Sequence, residues 1–267
     1  MDFALSQYDG LLFDLDGVLV HVSDPVPGAP EALAKLRSAG VPMMFVTNNA
    51  SRTGEQVAQL LERVGITAHT DDVITAAQAA TAQLADRLPA GARVLVIGSP
   101  NLAEEVRTVG LTPIANADDD PAAVLQGLGT NVDWPLLAEG AVALHRGVLW
   151  VATNADATLP SARGPLPGNG AFVAALATAS GRTPDSVVGK PHPELLRRAA
   201  ERIGASRPLM VGDRLDTDIA GAKAAGFDSA LVLTGATSQE QAAHASDHQR
   251  PTFVFADVSA LVHGQDL

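Results

Sequence analysis

The chain has 267 residues, with 30 Asp+Glu against 18 Lys+Arg, a formal net charge of −12 and no cysteine. An acidic chain without a Lys/Arg run is a poor partner for nucleic acid or an anionic membrane surface. The lack of cysteine removes disulfides, thiolate catalysis and cysteine-ligated zinc or iron–sulfur sites. In chain order, short apolar runs alternate with helical patterns. A strand is predicted over 11–14, a helix over 31–39, a strand over 43–47 and a helix over 55–64. The last carries Val57, Leu60, Leu61 and Val64 on one face, with Gly65 as its stop. A helix over 76–88, a strand over 94–98, a helix over 102–109 and a strand over 123–127 follow. A helix over 134–146 leads to a strand over 149–153, a Pro/Gly-rich loop over 159–170 and a helix over 170–180. The chain then gives a helix over 193–203, a strand over 209–212, a helix over 217–225 and strands over 230–233 and 253–255.

These strands are continuous apolar runs, which suits a parallel sheet covered on both faces. The alternation predicts an α/β fold. No apolar run approaches the roughly 18 residues of a membrane span. The start, MDFALSQYDG, has no positive n-region or cleavable apolar stretch, so no secretory signal and a cytoplasmic place are expected. Trp134 and Trp150 are expected to pack inside the fold, and the segment His244–His248 to form a solvated loop or helix face.

Four segments could carry chemistry. In Leu11-Leu12-Phe13-Asp14-Leu15-Asp16-Gly17, an apolar strand ends in two carboxylates two residues apart. Extended backbone puts both on one side, and glycine allows a sharp turn beyond them. Such a pair becomes favourable around a divalent cation, or when one acid holds a proton; solvated turn aspartates are the alternative. Thr47-Asn48-Asn49 ends the next strand with uncharged donors that suit a phosphate, or that cap the following helix. Gly189-Lys190-Pro191-His192 offers a fixed cation, and His192 has no nucleophile to serve. In Gly212-Asp213-Arg214-Leu215-Asp216-Thr217-Asp218, a strand end meets an oxygen-rich cluster of the kind Mg²⁺ requires. The start of the next helix would also favour these acids without any metal.

The order acid pair, Thr, Lys, acid cluster resembles the haloacid dehalogenase-like superfamily of phosphohydrolases, from about Tyr8 to Ala236. The TNN and GDRLDTD segments are similar to its subclass IIA, the p-nitrophenylphosphatase-like proteins. The resemblance is nearest to bacterial glycerol-3-phosphate phosphatases. It implies a Rossmann-like, doubly wound parallel-sheet core split around an inserted α/β cap domain. The expected boundaries are core over 1–77, cap over 78–184 and core over 185–267. The interval of 143 positions from Thr47 to Lys190 leaves room for such a cap. Asn154-Ala155-Asp156, Thr158-Leu159-Pro160 and Pro167-Gly168-Asn169-Gly170 also resemble the subclass, with Ala155 where relatives often have proline.

The resemblance implies roles residue by residue. Asp14 is the nucleophile that forms an aspartyl-phosphate, and Asp16 the acid and then the base. Lys190 neutralises nucleophile and phosphate. Mg²⁺ is the cofactor, held by Asp14, the Asp16 carbonyl and Asp213. Thr47, Asn48 and Asn49 form the phosphate-binding segment, and Asp218 anchors Lys190 or a metal-bound water. Asn154, Asp156, Thr158 and the loop Gly168-Asn169-Gly170 are leaving-group contacts or turn-formers. The expected partner is a small phosphorylated metabolite, first glycerol 3-phosphate, with phosphoglycolate, pyridoxal phosphate or a nucleotide as alternatives. A phosphometabolite-binding protein without turnover and a phosphotransferase are the rival classes. Caps of this kind often mediate dimers, so a homodimer is an expectation as well. Asp16 separates an ester hydrolase from a dehalogenase, because a leaving alkoxide needs a proton and a halide does not.

Overall fold

The computed structural model describes residues 3–159 and 163–264. They divide into two compact units. The first contains the chain up to Thr47, Gly54–Ile74 and everything from Lys190 onward; the second contains Asn48–Thr53 and Thr75–Gly189. The second unit is therefore wider than 78–184, and it takes in six residues that follow Thr47 in sequence.

The chain enters the first unit through β1 (Gly10–Phe13) and a small ribbon of β2 (Val20–His21) with β3 (Asp24–Pro25). Then come α1 (Ala29–Ser38), β4 (Met43–Thr47), α2 (Gly54–Arg63) and β5 (Val73–Thr75). The second unit follows, with α3 (Ala76–Ala85), β6 (Arg93–Ile97), α4 (Pro100–Thr108), β7 (Thr112–Ile114) and β8 (Ala123–Gln126). It continues with α5 (Trp134–His145), β9 (Leu149–Ala152), a ribbon of β10 (Thr158–Leu159) with β11 (Leu166–Pro167), α6 (Asn169–Ser180) and β12 (Ser186–Val187). The first unit is completed by α7 (Glu194–Arg202), β13 (Pro208–Gly212), α8 (Ala220–Ala225), β14 (Asp228–Val232), α9 (Gln239–Ala243), β15 (Phe253–Phe255) and α10 (Val258–His263).

Helix starts follow local chemistry. Thr75 and Gln78 close a reciprocal capping box on α3, and the Ser99 hydroxyl accepts from the Leu102 amide at the start of α4. Asp133 caps α5 in the same way. Strands β1, β4 and β13 are buried along their whole length, as continuous Leu, Val, Met and Phe runs require of a covered sheet.

The first unit holds a six-stranded sheet in the order β15-β14-β13-β1-β4-β5. Strand β1 runs parallel to both neighbours, with Phe13 opposite Val211 of β13 and Phe45 of β4. From β1 the chain winds outward through β4 in one direction and later through β13 in the other. The carboxyl end of β1 is thus a topological switch point, where open α/β sheets bind ligands. Leu11, Phe13, Phe45, Leu61, Val211 and Phe255 form the fully buried heart of its core. The second unit has its own parallel five-stranded sheet, β12-β9-β8-β6-β7, and its own core around Leu95, Ile97, Val124, Leu144 and Trp150.

Trp150 is buried, with its indole N–H donated to Gln126 Oε1 at 3.1 Å. Trp134 is 79% exposed, because it stands at the first position of α5, outside the face that packs. The loop expected over 159–170 begins within β10 and carries all of β11, its partner in the ribbon, and Pro160 lies outside the described residues. Among the described residues, no helix is long and apolar enough to cross a membrane.

Candidate active site

The polar residues of the first unit converge at the carboxyl ends of β1 and β13. Asp14 follows β1 directly, and its amide donates to the Val211 carbonyl at 2.9 Å, continuing the strand ladder. This pins the backbone and leaves the side chain 14% exposed at the sheet edge. Lys190 Nζ stands 2.6 Å from Asp14 Oδ1 and 2.6 Å from Asp218 Oδ1. Lys190 is almost fully buried, and the peptide bond after it is cis.

Asp213 follows β13. Its Oδ2 accepts from the Ala236 amide at 2.7 Å, while its Oδ1 is buried without a hydrogen-bond partner among the described residues. Asp218 is fully buried in the turn Leu215–Ile219. Its Oδ2 accepts from the amides of Asp213 at 3.2 Å and Arg214 at 3.1 Å. That carboxylate closes the loop after β13 on one oxygen and binds Lys190 with the other. Oxygens of Asp14, Asp213 and Asp218 all lie within 4.8 Å of one another.

The electrostatics follow from burial. Asp14 is pushed up to about 8, first by desolvation and then, against the pull of Lys190, by the charges of Asp218 and Asp213. Asp213 rises to about 6, again first by burial and then by Asp218. Burial alone would lower Lys190, but the carboxylates of Asp14 and Asp218 hold its ammonium above the ordinary value. Three clustered acids therefore face one ammonium. The donors are all hard oxygens, and Asp213 Oδ1 is a buried acceptor to which nothing is donated among the described residues. Both features fit a small hard divalent cation such as Mg²⁺.

Glycines shape the cradle. Gly17 has φ +82°, and a Cβ there would stand 2.5 Å from Asp213 Oδ2. A Cβ on Gly235 would collide with the same oxygen, and one on Gly212 with the Asp218 side chain. Thr234 Oγ1 donates to the Gly17 carbonyl at 2.6 Å, tying the turn after β1 to the end of β14. The sequence pattern does not mark Gly235 or the Ala236 amide. The available signal was a Thr-Gly pair just past a strand that neighbours β13.

Asp16 is exposed just past β1, and the Gly17 amide donates to the Val20 carbonyl at 2.8 Å to close the turn. The Asp16 carboxylate is outside the three-acid cluster; its sequence-based metal role runs through the carbonyl. Thr47 ends β4 and is buried. Asp216 pairs with Arg214 at 2.8 Å, which keeps its carboxyl below the usual range. His192 is exposed. Asn48 and Asn49 belong to the second unit. There Asn48 Nδ2 donates to Asp156 Oδ2 at 3.2 Å, and Asn49 Oδ1 accepts from the Ser51 amide and hydroxyl at 2.9 and 2.8 Å. Asn154 is buried beside them, and Thr158 is exposed on the β10–β11 ribbon.

Residues 11–112 match the haloacid dehalogenase-like hydrolase family, and residues 187–261 match the HAD-hydrolase-like family. A D-glycerol 3-phosphate phosphatase of Mycobacterium tuberculosis is 49% identical over 255 residues, 96% of this chain and 71% of that protein. An acid sugar phosphatase of Staphylococcus haemolyticus is 33% identical over 97% of both chains. Among solved structures, a glycerol phosphate phosphatase of Mycobacterium tuberculosis in complex with magnesium superposes with a TM-score of 0.91. It is 48% identical and covers 95% of this chain and 76% of that one. A p-nitrophenyl phosphatase of Archaeoglobus fulgidus gives 0.89 at 31% identity, over 96% of this chain and 98% of that one. With the acid–lysine cluster at the switch point of the sheet, these likenesses settle the family: the chain belongs to the haloacid dehalogenase-like hydrolases, as a phosphoric monoester hydrolase of the p-nitrophenylphosphatase type.

Proposed function

We propose that this protein hydrolyses a small phosphate monoester through an aspartyl-phosphate on Asp14, with Mg²⁺ as cofactor and glycerol 3-phosphate as the first substrate to test. One observation carries the reading: Asp14 lies at the switch point, bonded to a buried lysine and clustered with two further acids. The residues fitted to hold Mg²⁺ are the carboxylates of Asp14 and Asp213 and the carbonyl of Asp16. When bound, the ion supplies positive charge against the phosphoryl oxygens.

The chain's own groups divide the work. An Asp14 oxygen attacks phosphorus as the bond to the alkoxide breaks, and the Asp16 carboxyl gives that alkoxide its proton. The Asp16 carboxylate then takes a proton from water. The water oxygen attacks phosphorus, the bond to Asp14 breaks, and phosphate leaves with Asp14 restored. The exposure of Asp16 suits a group that must meet both a leaving group and water. Lys190, fixed by Asp218, balances the charge on Asp14 and the phosphoryl group, and Thr47 offers its hydroxyl at the neighbouring strand end. Uncatalysed hydrolysis of such esters is slow enough that enzymes reach ~10²¹-fold acceleration. Acid–base catalysis supplies only about 10²–10⁴ of this; the covalent step and the fixed charges must provide the remainder.

The substrate choice rests on the 49% identical glycerol phosphate phosphatase. Sugar phosphates are the second reading, on the acid sugar phosphatases. Comparing kcat/KM over a panel of phosphate monoesters ranks the two. Asp14→Asn is expected to keep the fold, by circular dichroism, and to lose turnover by at least about 10³-fold, as loss of a covalent nucleophile should. Substantial phosphate release by that variant would reject Asp14 as the nucleophile.

A further inference from the structure

Residues Asn48–Thr53 follow Thr47 in sequence but are built into the second unit, and the bonds that hold them are specific. Asn48 Nδ2 lies 3.2 Å from Asp156 Oδ2 and 3.5 Å from Oδ1. Asn154 Nδ2 donates to the Asn48 carbonyl at 2.8 Å. The Asp156 amide donates to Asn154 Oδ1 at 3.2 Å, and Asn169 Nδ2 donates to the Asn154 carbonyl at 2.7 Å. Further along, Asn101 Nδ2 donates to the Ser51 carbonyl at 2.7 Å. Asn48 is thus held by its side chain and its backbone at once, and both bonds end on Asn154-Ala155-Asp156.

Close packing supports the same clasp. A Cβ on Gly189 would stand 2.7 Å from Asn48 Oδ1 and 2.7 Å from the Thr153 carbonyl. Cβ atoms on Gly168 and Gly170 would collide with the carbonyls of Asp156 and Ala155. The Gly170 amide donates to the Asp156 carbonyl at 2.8 Å. The PGNG turn therefore grips the backbone of Asp156 from behind while its carboxylate receives Asn48.

We propose that Asp156 and Asn154 are positioning residues for phosphoryl transfer, acting through Asn48, the residue that follows Thr47, rather than contacts to the leaving group. The proposal rests on the reading of Thr47 as a phosphoryl-binding hydroxyl. Asn48 is the residue by which the chain leaves β4, so its two anchors, on its side chain and its carbonyl, bear on how steadily the neighbouring Thr47 hydroxyl is held. A residue acting this way affects the part that all phosphate monoesters share. A leaving-group contact affects only substrates with that leaving group.

The experiment compares Asp156→Ala and Asp156→Asn with the wild-type chain. It reads kcat/KM for glycerol 3-phosphate and for p-nitrophenyl phosphate, and the affinity for inorganic phosphate by calorimetry. Loss of a hydrogen bond to a charged acceptor predicts a fall of about tenfold to a hundredfold in Asp156→Ala. The fall should be the same for both esters and be accompanied by weaker phosphate binding. Asp156→Asn keeps an acceptor for Asn48 Nδ2 and is expected within a few-fold of wild type. A loss confined to glycerol 3-phosphate would make Asp156 a leaving-group contact and overturn the proposal, as would unchanged phosphate affinity in Asp156→Ala. If Asp156→Ala does not fold, Asp156→Glu keeps the charge but displaces the acceptor, and it must show the same uniform loss. A wild-type chain that binds phosphate yet turns over neither ester would overturn the phosphatase reading instead, and phosphate affinity would still test the clasp.

Discussion

Tyr8 is the only tyrosine in the chain, and it is nearly buried at the foot of β1. Its hydroxyl donates to Asp228 Oδ2 at 3.0 Å. The Arg207 guanidinium lies over its ring at 5.3 Å from the centroid. Burial first, and then the carboxylate it bonds, push its ionisation up to about 12. An unfolded tyrosine ionises near 10. The neutral phenol therefore contributes stability that is fully present below about pH 10 and is lost as pH rises through about 12. Because no second tyrosine interferes, ultraviolet absorbance reads this group directly. A midpoint near 12 is expected while circular dichroism still reports a folded chain; a midpoint near 10 in the folded protein would refute the assignment.

At the scale of elements, two glycines separate strain from contact. Gly17 and Gly40 both have positive φ, at +82° and +73°, but only Gly17 has atoms within 4 Å of where a Cβ would stand. A left-handed alanine costs about 1–2 kcal/mol by itself. Gly40→Ala is expected to lose about that much in denaturant unfolding and to keep full activity. Gly17→Ala should lose more and lose turnover too, because its Cβ displaces Asp213. Equal activity in the two variants would show that the turn after β1 does not shape the site. The same contrast explains what could be read from the sequence. Strands β1, β4, β6, β8, β9, β13, β14 and β15 stand within two residues of their predicted places, because their apolar runs have to be buried. Strands β7 and β12, of three and two residues, are only half-buried and left no such run. Asp14, Lys190, Asp213 and Asp218 stood out by residue type at the ends of elements, and the structure clusters them. The Ala236 amide has no side-chain signature. The partnership of Asn48 with Asp156 spans 108 positions, a pairing that the sequence pattern does not contain.

For the whole molecule, the two units carry different optical reporters. Both tryptophans lie in the second unit, one fully buried and one largely exposed. Acrylamide quenching is therefore expected to divide the emission into an accessible, red component and a protected, blue one. Trp134→Phe should delete the accessible component and leave stability within about 0.5 kcal/mol, as for a surface site. A single uniformly quenched population would contradict the placement of Trp150.

The central position of β1 has a consequence for biosynthesis. Its neighbours are β4, some thirty residues downstream, and β13, which begins at Pro208. As the polypeptide emerges from the ribosome, the edge of β1 that β13 will occupy stays open while all of the second unit is made. The second unit's strands, in contrast, are contiguous in sequence and can pair as soon as they appear. The nascent chain thus carries an apolar, unpaired strand edge throughout the synthesis of the second unit, and the loop that delivers Asp213 arrives only after that unit.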